Sequence, residues 1–325
     1  MSFEKIKGLS RQIDQLKSCI EGRRVASSYL FAGPEGIGKN LLALEFAKAL
    51  NCENGALDSC DTCASCRKIQ NRQHPDVHII DALSQEDEDS NNEVIKIEKI
   101  RGLKKDMSLR PYEAKTKVFI IDNAHRLTAE ASNCLLKVLE ESPGAGLIIL
   151  VTHKPALLFK TIVSRCSVIK FSPFPREELE AILKEKYAIE GEKAHFLSYF
   201  SEGRLGYALR LKDTDIINEK NRAIDDFSVD NVSFAQDAQT QNREQLQSRL
   251  NLLAVWFRDM YIAKAGMPHS EIINYDRRRD LLKCVERYSF ADLDRMLKSI
   301  CDAILYLQQN INIRLLLSNL KYSLK

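Results

Sequence analysis

No run of roughly 18 or more apolar residues occurs in this 325-residue chain, so no bilayer-crossing helix is expected. The opening Met1-Ser2-Phe3-Glu4-Lys5 has no apolar core behind it, which argues against a secretory leader; a cytoplasmic address is the default expectation. Charge of one sign is also lacking. The 48 Lys and Arg residues stand against 45 Asp and Glu, a net charge of +3. That excludes a polycation holding nucleic acid by bulk charge and leaves only a local basic surface for such a role. No internal repeat is evident. What is present is an ordinary globular composition, 44% apolar and 29% charged, on a chain long enough for two or three domains.

The first half alternates between strand and helix patterns. Short apolar runs at Tyr29–Ala32, Val77–Ile80, Val118–Ile121 and Leu147–Val151 read as strands, and Asn40–Leu50 reads as a helix. Continuous apolar strands separated by helices predict a parallel sheet buried on both faces. The acidic stretch Ser84 to Asn92 reads as a solvated loop. After about Ile169 the strand runs stop, and Ser172-Pro173-Phe174-Pro175 is a natural break, since proline disfavours both helix and central strand. Arg176–Lys186 then reads as a helix, and from Asn218 onward the pattern is almost wholly helical, with amphipathic runs at Arg249–Ala265 and Ala291–Leu307. The stripes Leu252, Leu253, Trp256, Phe257, Tyr261 and Ile300, Ile304, Leu307 fit either an interface or, more commonly, a monomer core.

Gly33-Pro34-Glu35-Gly36-Ile37-Gly38-Lys39-Asn40 fits the phosphate-loop pattern Gly-x4-Gly-Lys between a predicted strand and a predicted helix. Glycines let backbone N–H groups wrap a phosphate, the helix adds its positive end, and Lys39 neutralises phosphate charge. The hydroxyl that would ligate Mg²⁺ after the lysine is replaced by Asn40. The strand Val118–Ile121 ends in Asp122, suited to organising that metal. Asn123 follows where a hydrolysing enzyme would carry a carboxylate, and a neutral amide cannot act as a general base. His125 and His153 have no evident Ser or Cys partner and read as locally satisfied.

Four of nine cysteines fall close together, as Cys52-x7-Cys60-x2-Cys63-x2-Cys66. Four soft thiolates at this spacing suit tetrahedral Zn²⁺ with no open position, hence a structural site; an iron–sulfur cluster or unligated thiols are the alternatives. His74 and His78 are then unnecessary as ligands. The remaining cysteines, Cys166 among them, read as small packed residues.

The order phosphate loop, four-Cys insertion, His74-Pro75-Asp76, Ile95-Lys96-Ile97 with Ile100-Arg101, Ser132 through Leu135-Leu136-Lys137-Val138-Leu139-Glu140-Glu141-Ser142-Pro143, and Ser164-Arg165-Cys166 resembles the bacterial clamp-loader AAA+ family of DNA polymerase III. The resemblance covers residues 5 to about 210; the C-terminal third is matched only by helical character. It implies an α/β AAA+ domain over 1–170 with a zinc module at 52–66, a helical lid over 171–212 and an all-α oligomerisation collar over 213–325. It also implies a nucleotide site at Gly33, Gly36, Gly38, Lys39, Asn40, Asp122 and the first-sensor Thr152, holding ATP or ADP without hydrolysis.

Three departures separate this chain from the hydrolysing gamma/tau members: Asn40, Asn123, and Gly206 where the sensor arginine falls, with Arg204 two residues away. The resemblance then implies a stator that supplies Arg165 in trans to a neighbouring ATPase subunit. Its partners would be gamma/tau and delta subunits, the sliding clamp and primed DNA, with no membrane. The cluster Lys96, Lys99, Arg101, Lys104 and Lys105 is a candidate for duplex contact. Two rivals are an active gamma/tau-type ATPase and a nucleotide-sensing module with no clamp-loading role.

Overall fold

The computed structural model describes residues 2–55, 57–82, 94–141, 146–229, 243–268, 271–309 and 311–323. The acidic stretch Ser84–Asn92 and the Ser142-Pro143 pair lie outside the described residues. The chain divides into two compact units, residues 1–174 and 175–325.

The first unit is a five-stranded sheet of β1 (Ser28–Ala32), β2 (Val77–Ile80), β3 (Lys117–Ile121), β4 (Gly146–Thr152) and β5 (Ser167–Lys170), in the order β2-β3-β4-β1-β5. Every pairing is parallel, as the continuous apolar runs predict. The helices are α1 (Ser10–Glu21), α2 (Lys39–Asn51), α3 (Ala64–Gln70), α4 (Ile97–Ser108), α5 (Ala129–Glu141) and the short α6 (Lys160–Val163). Alternate strand residues feed two cores. Tyr29, Phe31, Val118, Ile120, Ile149 and Val151 pack with Leu42, Ala43 and Phe46 of α2. Leu30, Phe119, Ile121, Ile148 and Leu150 pack with Ile100 and Leu103 of α4 and with Leu135 and Val138 of α5. Helices therefore cover both faces, and each such buried side chain contributes about 1.5–3 kcal/mol over leaving it in water. This is the parallel α/β class that the apolar runs predict.

Strand β5 ends at Lys170, so the strands stop about where the sequence predicts, but β5 itself is not among the predicted runs. It lies at the sheet edge beside β1, and of its four residues only Ile169 is buried. One buried side chain in Ser-Val-Ile-Lys is too little pattern to read as a strand; pairing with β1 decides it.

The second unit is helical: α7 (Arg176–Tyr187), α8 (Gly191–Phe200), α9 (Leu205–Lys212), α10 (Ile216–Val229), α11 (Arg243–Lys264), α12 (Arg278–Arg287), α13 (Phe290–Gln308) and α14 (Ile313–Ser323). Helix α11 packs on α10, α12 and α13. Leu252, Leu253, Trp256 and Phe257 are buried, as are Ile300 and Leu307. Tyr261 and Ile304 are half-buried, so each stripe is mainly core of this unit. Among the described residues no helix is long and apolar enough to cross a membrane.

Candidate phosphate site and cysteine module

The carboxyl ends of β1, β4 and β3 bring the phosphate loop, Thr152 and Asp122 to one edge of the sheet, where open α/β folds bind ligands. Ala32 and Thr152 are paired in register, and the Gly33 N–H donates to the Thr152 carbonyl at 3.3 Å. Glycine is required twice. A Cβ on Gly33 would lie 2.4 Å from the Phe171 carbonyl oxygen, and Gly38, at the N-cap of α2, has φ of +101°.

Lys39 is buried, and its ammonium donates to the carbonyls of Gly33 (2.7 Å) and Pro34 (2.6 Å). Burial pulls its pKa down to about 8, against the opposing pull of Asp122 and Glu35. The Asn40 side-chain NH₂ donates to Asp122 Oδ2 at 2.9 Å, and the Asn123 N–H donates to Asp122 Oδ1 at 2.8 Å. An amide facing a carboxylate must present its N–H, since its oxygen there would meet another acceptor. Asn40 therefore turns its ligand oxygen away from Asp122. Burial, aided by Asp81, holds the Asp122 carboxyl above its ordinary value.

Thr152 is buried, and its hydroxyl accepts the Lys154 N–H at 3.0 Å and pairs with His125 Nδ1 at 3.2 Å. The rings of His125 and His153 meet edge to face at 4.3 Å. Burial, then His153 and the nearby cations, push His125 down to about 4, so it is neutral at pH 7. Burial likewise lowers His153.

Arg165 follows α6 and is exposed. One guanidinium nitrogen donates to the Thr161 carbonyl at 3.0 Å and another meets Glu140 at 2.7 Å, while its own carbonyl accepts the Ser28 hydroxyl. Glu140 and Glu141 end α5; Glu141 pairs with Lys104 at 2.8 Å. The Leu-Leu-Lys-Val-Leu-Glu-Glu segment thus sends Leu135, Val138 and Leu139 to the core and its two carboxylates to α4 and Arg165. Cys166 packs against the core, and burial raises its thiol to about 11, so it is not a nucleophile. In the second unit Gly206 lies in the first turn of α9. Arg204 caps that helix, donating from Nε to the Ser201 carbonyl with its guanidinium 4.7 Å from the Tyr207 ring centre. In the basic cluster, Lys99 donates to the Asp81 carbonyl and Lys104 pairs with Glu141, while Arg101 and Lys105 are exposed.

The ligand atoms of Cys52, Cys60, Cys63 and Cys66 all lie within 4.8 Å of one another, and none is in a disulfide. A tetrahedral ion with sulfur at about 2.3 Å sets sulfurs about 3.8 Å apart, which this cluster can meet. Backbone N–H groups of Gly55 and Cys60 donate to the Cys52 sulfur, that of Cys63 to Cys60, and that of Cys66 to Cys63, at 3.1–3.4 Å. The Thr62 hydroxyl, then the Cys63 N–H, pull Cys60 down to about 5. The four residues can hold a soft metal ion. His74 and His78 serve other ends: His74 Nδ1 accepts the Asp76 N–H at 3.1 Å, and His78 stacks on Phe119.

Two features went unread in the sequence. Asp76, 1% exposed, accepts the backbone N–H groups of Tyr112, Glu113 and Ala114 at 2.8–2.9 Å. Lys48, in the last turn of α2, is fully buried. The partners of each are distant in sequence or unremarkable in it, so no spacing signal marks either.

Comparison with known proteins places these elements in context. The family described as "DNA polymerase III, delta subunit" matches residues 8–175, and "DNA polymerase III, delta subunit, C terminal" matches residues 217–324. The chain is 35% identical over 178 residues to DNA polymerase III subunit delta' of Bacillus subtilis (strain 168), covering 54% of this chain and 51% of that protein. It is 33% identical over 220 residues to DNA polymerase III subunit tau of the same organism, covering 66% of this chain and 38% of that one. The matched region thus spans about half or less of these relatives' own length. A solved DNA polymerase III gamma subunit-related protein from Thermotoga maritima aligns over 96% of this chain and 97% of its own, at 18% identity and a TM-score of 0.48.

Proposed function

Since this chain belongs to the DNA polymerase III delta-subunit family, we propose that it is the delta-prime, or stator, subunit of a clamp loader. In this role it hydrolyses no ATP itself. It joins gamma/tau ATPase copies and a delta subunit in an assembly that places the sliding clamp on primed DNA in the cytoplasm. The observation that carries this is the 2.9 Å bond from Asn40 to Asp122. It ties up the carboxylate that would organise Mg²⁺, at the position where a metal-ligating hydroxyl is missing. Asn123, a neutral amide, supplies no general base at the next position. The nucleotide site, namely Gly33, Gly36, Gly38, Lys39, Asn40, Asp122 and Thr152, is read as degenerate, able at most to hold ATP or ADP.

In this reading Arg165 serves a neighbour's site. Its pairing with Glu140 supports that use, because an exposed ion pair is worth only about 0–1 kcal/mol and is easily exchanged for a phosphate. Zn²⁺ is the metal proposed for Cys52, Cys60, Cys63 and Cys66, since four thiolates without histidine or an open position suit a structural zinc. Arg101 and Lys105 are the members of the basic cluster proposed to meet DNA phosphates.

The test is ATP turnover by the purified chain with and without Mg²⁺, followed by Lys39→Ala in the reconstituted loader. No Mg²⁺-dependent turnover above background is expected, and Lys39→Ala should leave clamp loading within about twofold of native, a difference of about 0.4 kcal/mol. Turnover by the chain alone would reassign it to the gamma/tau type. A folded chain that binds nucleotide but forms no complex with gamma/tau and delta would leave the sensing module as the better reading. Metal analysis is expected to find about one zinc per chain, and chelation to expose four alkylatable thiols; metal-free, folded protein would remove the zinc proposal.

A further inference from the structure

We propose that Lys48 is the positioning residue of the cysteine module, its buried ammonium holding both halves of the four-sulfur site against α2 so that metal affinity depends on it. The inference rests on the metal reading above.

The contacts carry it. Residues 52–66 contribute no buried aliphatic or aromatic side chain among those described; their buried apolar atoms are the cysteines themselves. Ile69 of α3 reaches the main core, and the rest of the module depends on polar contacts for its placement. Cys52 is anchored directly, as the C-cap of α2. The rest is reached through Lys48, one turn earlier on the same helix. An ammonium donates three hydrogen bonds, and three acceptors surround this one. Glu45 Oε1 lies at 3.0 Å, Asp61 Oδ1 at 2.6 Å and Gln70 Oε1 at 3.1 Å.

Those acceptors are distributed across the module. Asp61 sits between Cys60 and Cys63, in a turn with φ of +60° that aims its carboxylate back at α2. Gln70 ends α3, the helix that carries Cys66 and is capped by the Cys63 sulfur. Glu45 extends the grip to the residue before Cys60, accepting the Ser59 hydroxyl at 3.3 Å. One ammonium therefore spans the turn bearing Cys60 and Cys63 and the helix bearing Cys66. Such partners behind a metal's ligands keep the ligands aimed at one point, and removing them typically weakens metal affinity roughly 10–100-fold.

The test uses the full chain, reduced and stripped of metal, with Zn²⁺ affinity read by competition against a chromophoric chelator and the thiolate-to-Co²⁺ absorption as a spectroscopic check. Lys48→Met is expected to weaken Zn²⁺ binding roughly 10–100-fold while the far-UV dichroism of the metal-free protein stays native. The variant's loss of unfolding midpoint should be larger with Zn²⁺ bound than without. A merely structural lysine would cost the same in both states and leave affinity untouched. Asp61→Asn, which keeps size and removes one charged contact, guards against a Lys48 variant that does not fold and should weaken binding at least about threefold, a smaller share of the same effect. A folded Lys48→Met protein binding Zn²⁺ within about twofold of native, or unchanged binding by Asp61→Asn, overturns the proposal. A native chain that takes up neither Zn²⁺ nor Co²⁺ overturns the metal reading and this inference with it.

Discussion

Arg165→Ala, introduced into a loader reconstituted with gamma/tau and delta subunits, is expected to lower clamp- and DNA-stimulated ATP turnover about tenfold or more, at least about 1.4 kcal/mol of barrier. The guanidinium is planar and permanently charged, and suits charge that builds on a transferring phosphoryl group. It is exposed, on a backbone held by the Ser28 hydroxyl and by β5, so its side chain can leave Glu140 without disturbing the sheet. Glu140→Gln is the matched control. Losing an exposed pair changes stability by about 0–1 kcal/mol, and turnover should stay within about fivefold of native. Assembly, followed by size exclusion, should survive both changes. Equal turnover for native and Arg165→Ala loaders would leave Arg165 as the surface partner of Glu140 and nothing more.

Asp76→Ala is expected to destabilise the first unit by about 3–5 kcal/mol, because three backbone N–H groups lose a buried charged acceptor. That is a large share of the roughly 5–15 kcal/mol holding a typical domain together. Asp76→Asn keeps one acceptor oxygen and should cost less, about 1–3 kcal/mol. Burial alone would push this carboxyl up. The Tyr112, Glu113 and Ala114 N–H groups, with Lys117, outweigh burial and hold it below its ordinary value of 3.8.

The pH dependence follows in sign. A depressed folded pKa means the contribution is fully present above pH 3.8 and is lost as pH falls below it, through the folded value. Amide exchange of β3 is the suitable probe, since the sole tryptophan, Trp256, lies in the second unit. Native protein should lose protection in β3 steeply below about pH 4. Asp76→Asn should already be weakened at pH 7 and lack that step. Equal protection of native and Asp76→Asn protein at pH 7 would show that the loop finds other acceptors.

Much of the fold was legible because local chemistry and tertiary demand agree. Val118–Ile121 is continuous and β-branched, and such a run survives only where both faces are covered. The phosphate loop is marked by glycines whose close approach and positive φ no other residue accepts without strain. The cysteine spacing is short enough to mark the four sulfurs as one set, though not to show what aims them at a common point. Strand β5 was not legible, since it borrows its order from β1. Nor was the link from Glu140 to Arg165, whose members are separated by β4 and α6.

Residue type and short spacing suffice for the parallel α/β class, for the phosphate loop with its missing hydroxyl and missing base, and for the four-sulfur set. Tertiary structure alone decided what the departures do. Asn40 could have offered an oxygen to a metal; facing Asp122, it must present its N–H. Lys48 would pass for a solvated helix residue, and Asp76 for one member of a turn. Each is buried and carries several hydrogen bonds, because a charge taken out of water persists only where folding brings its partners from distant parts of the chain.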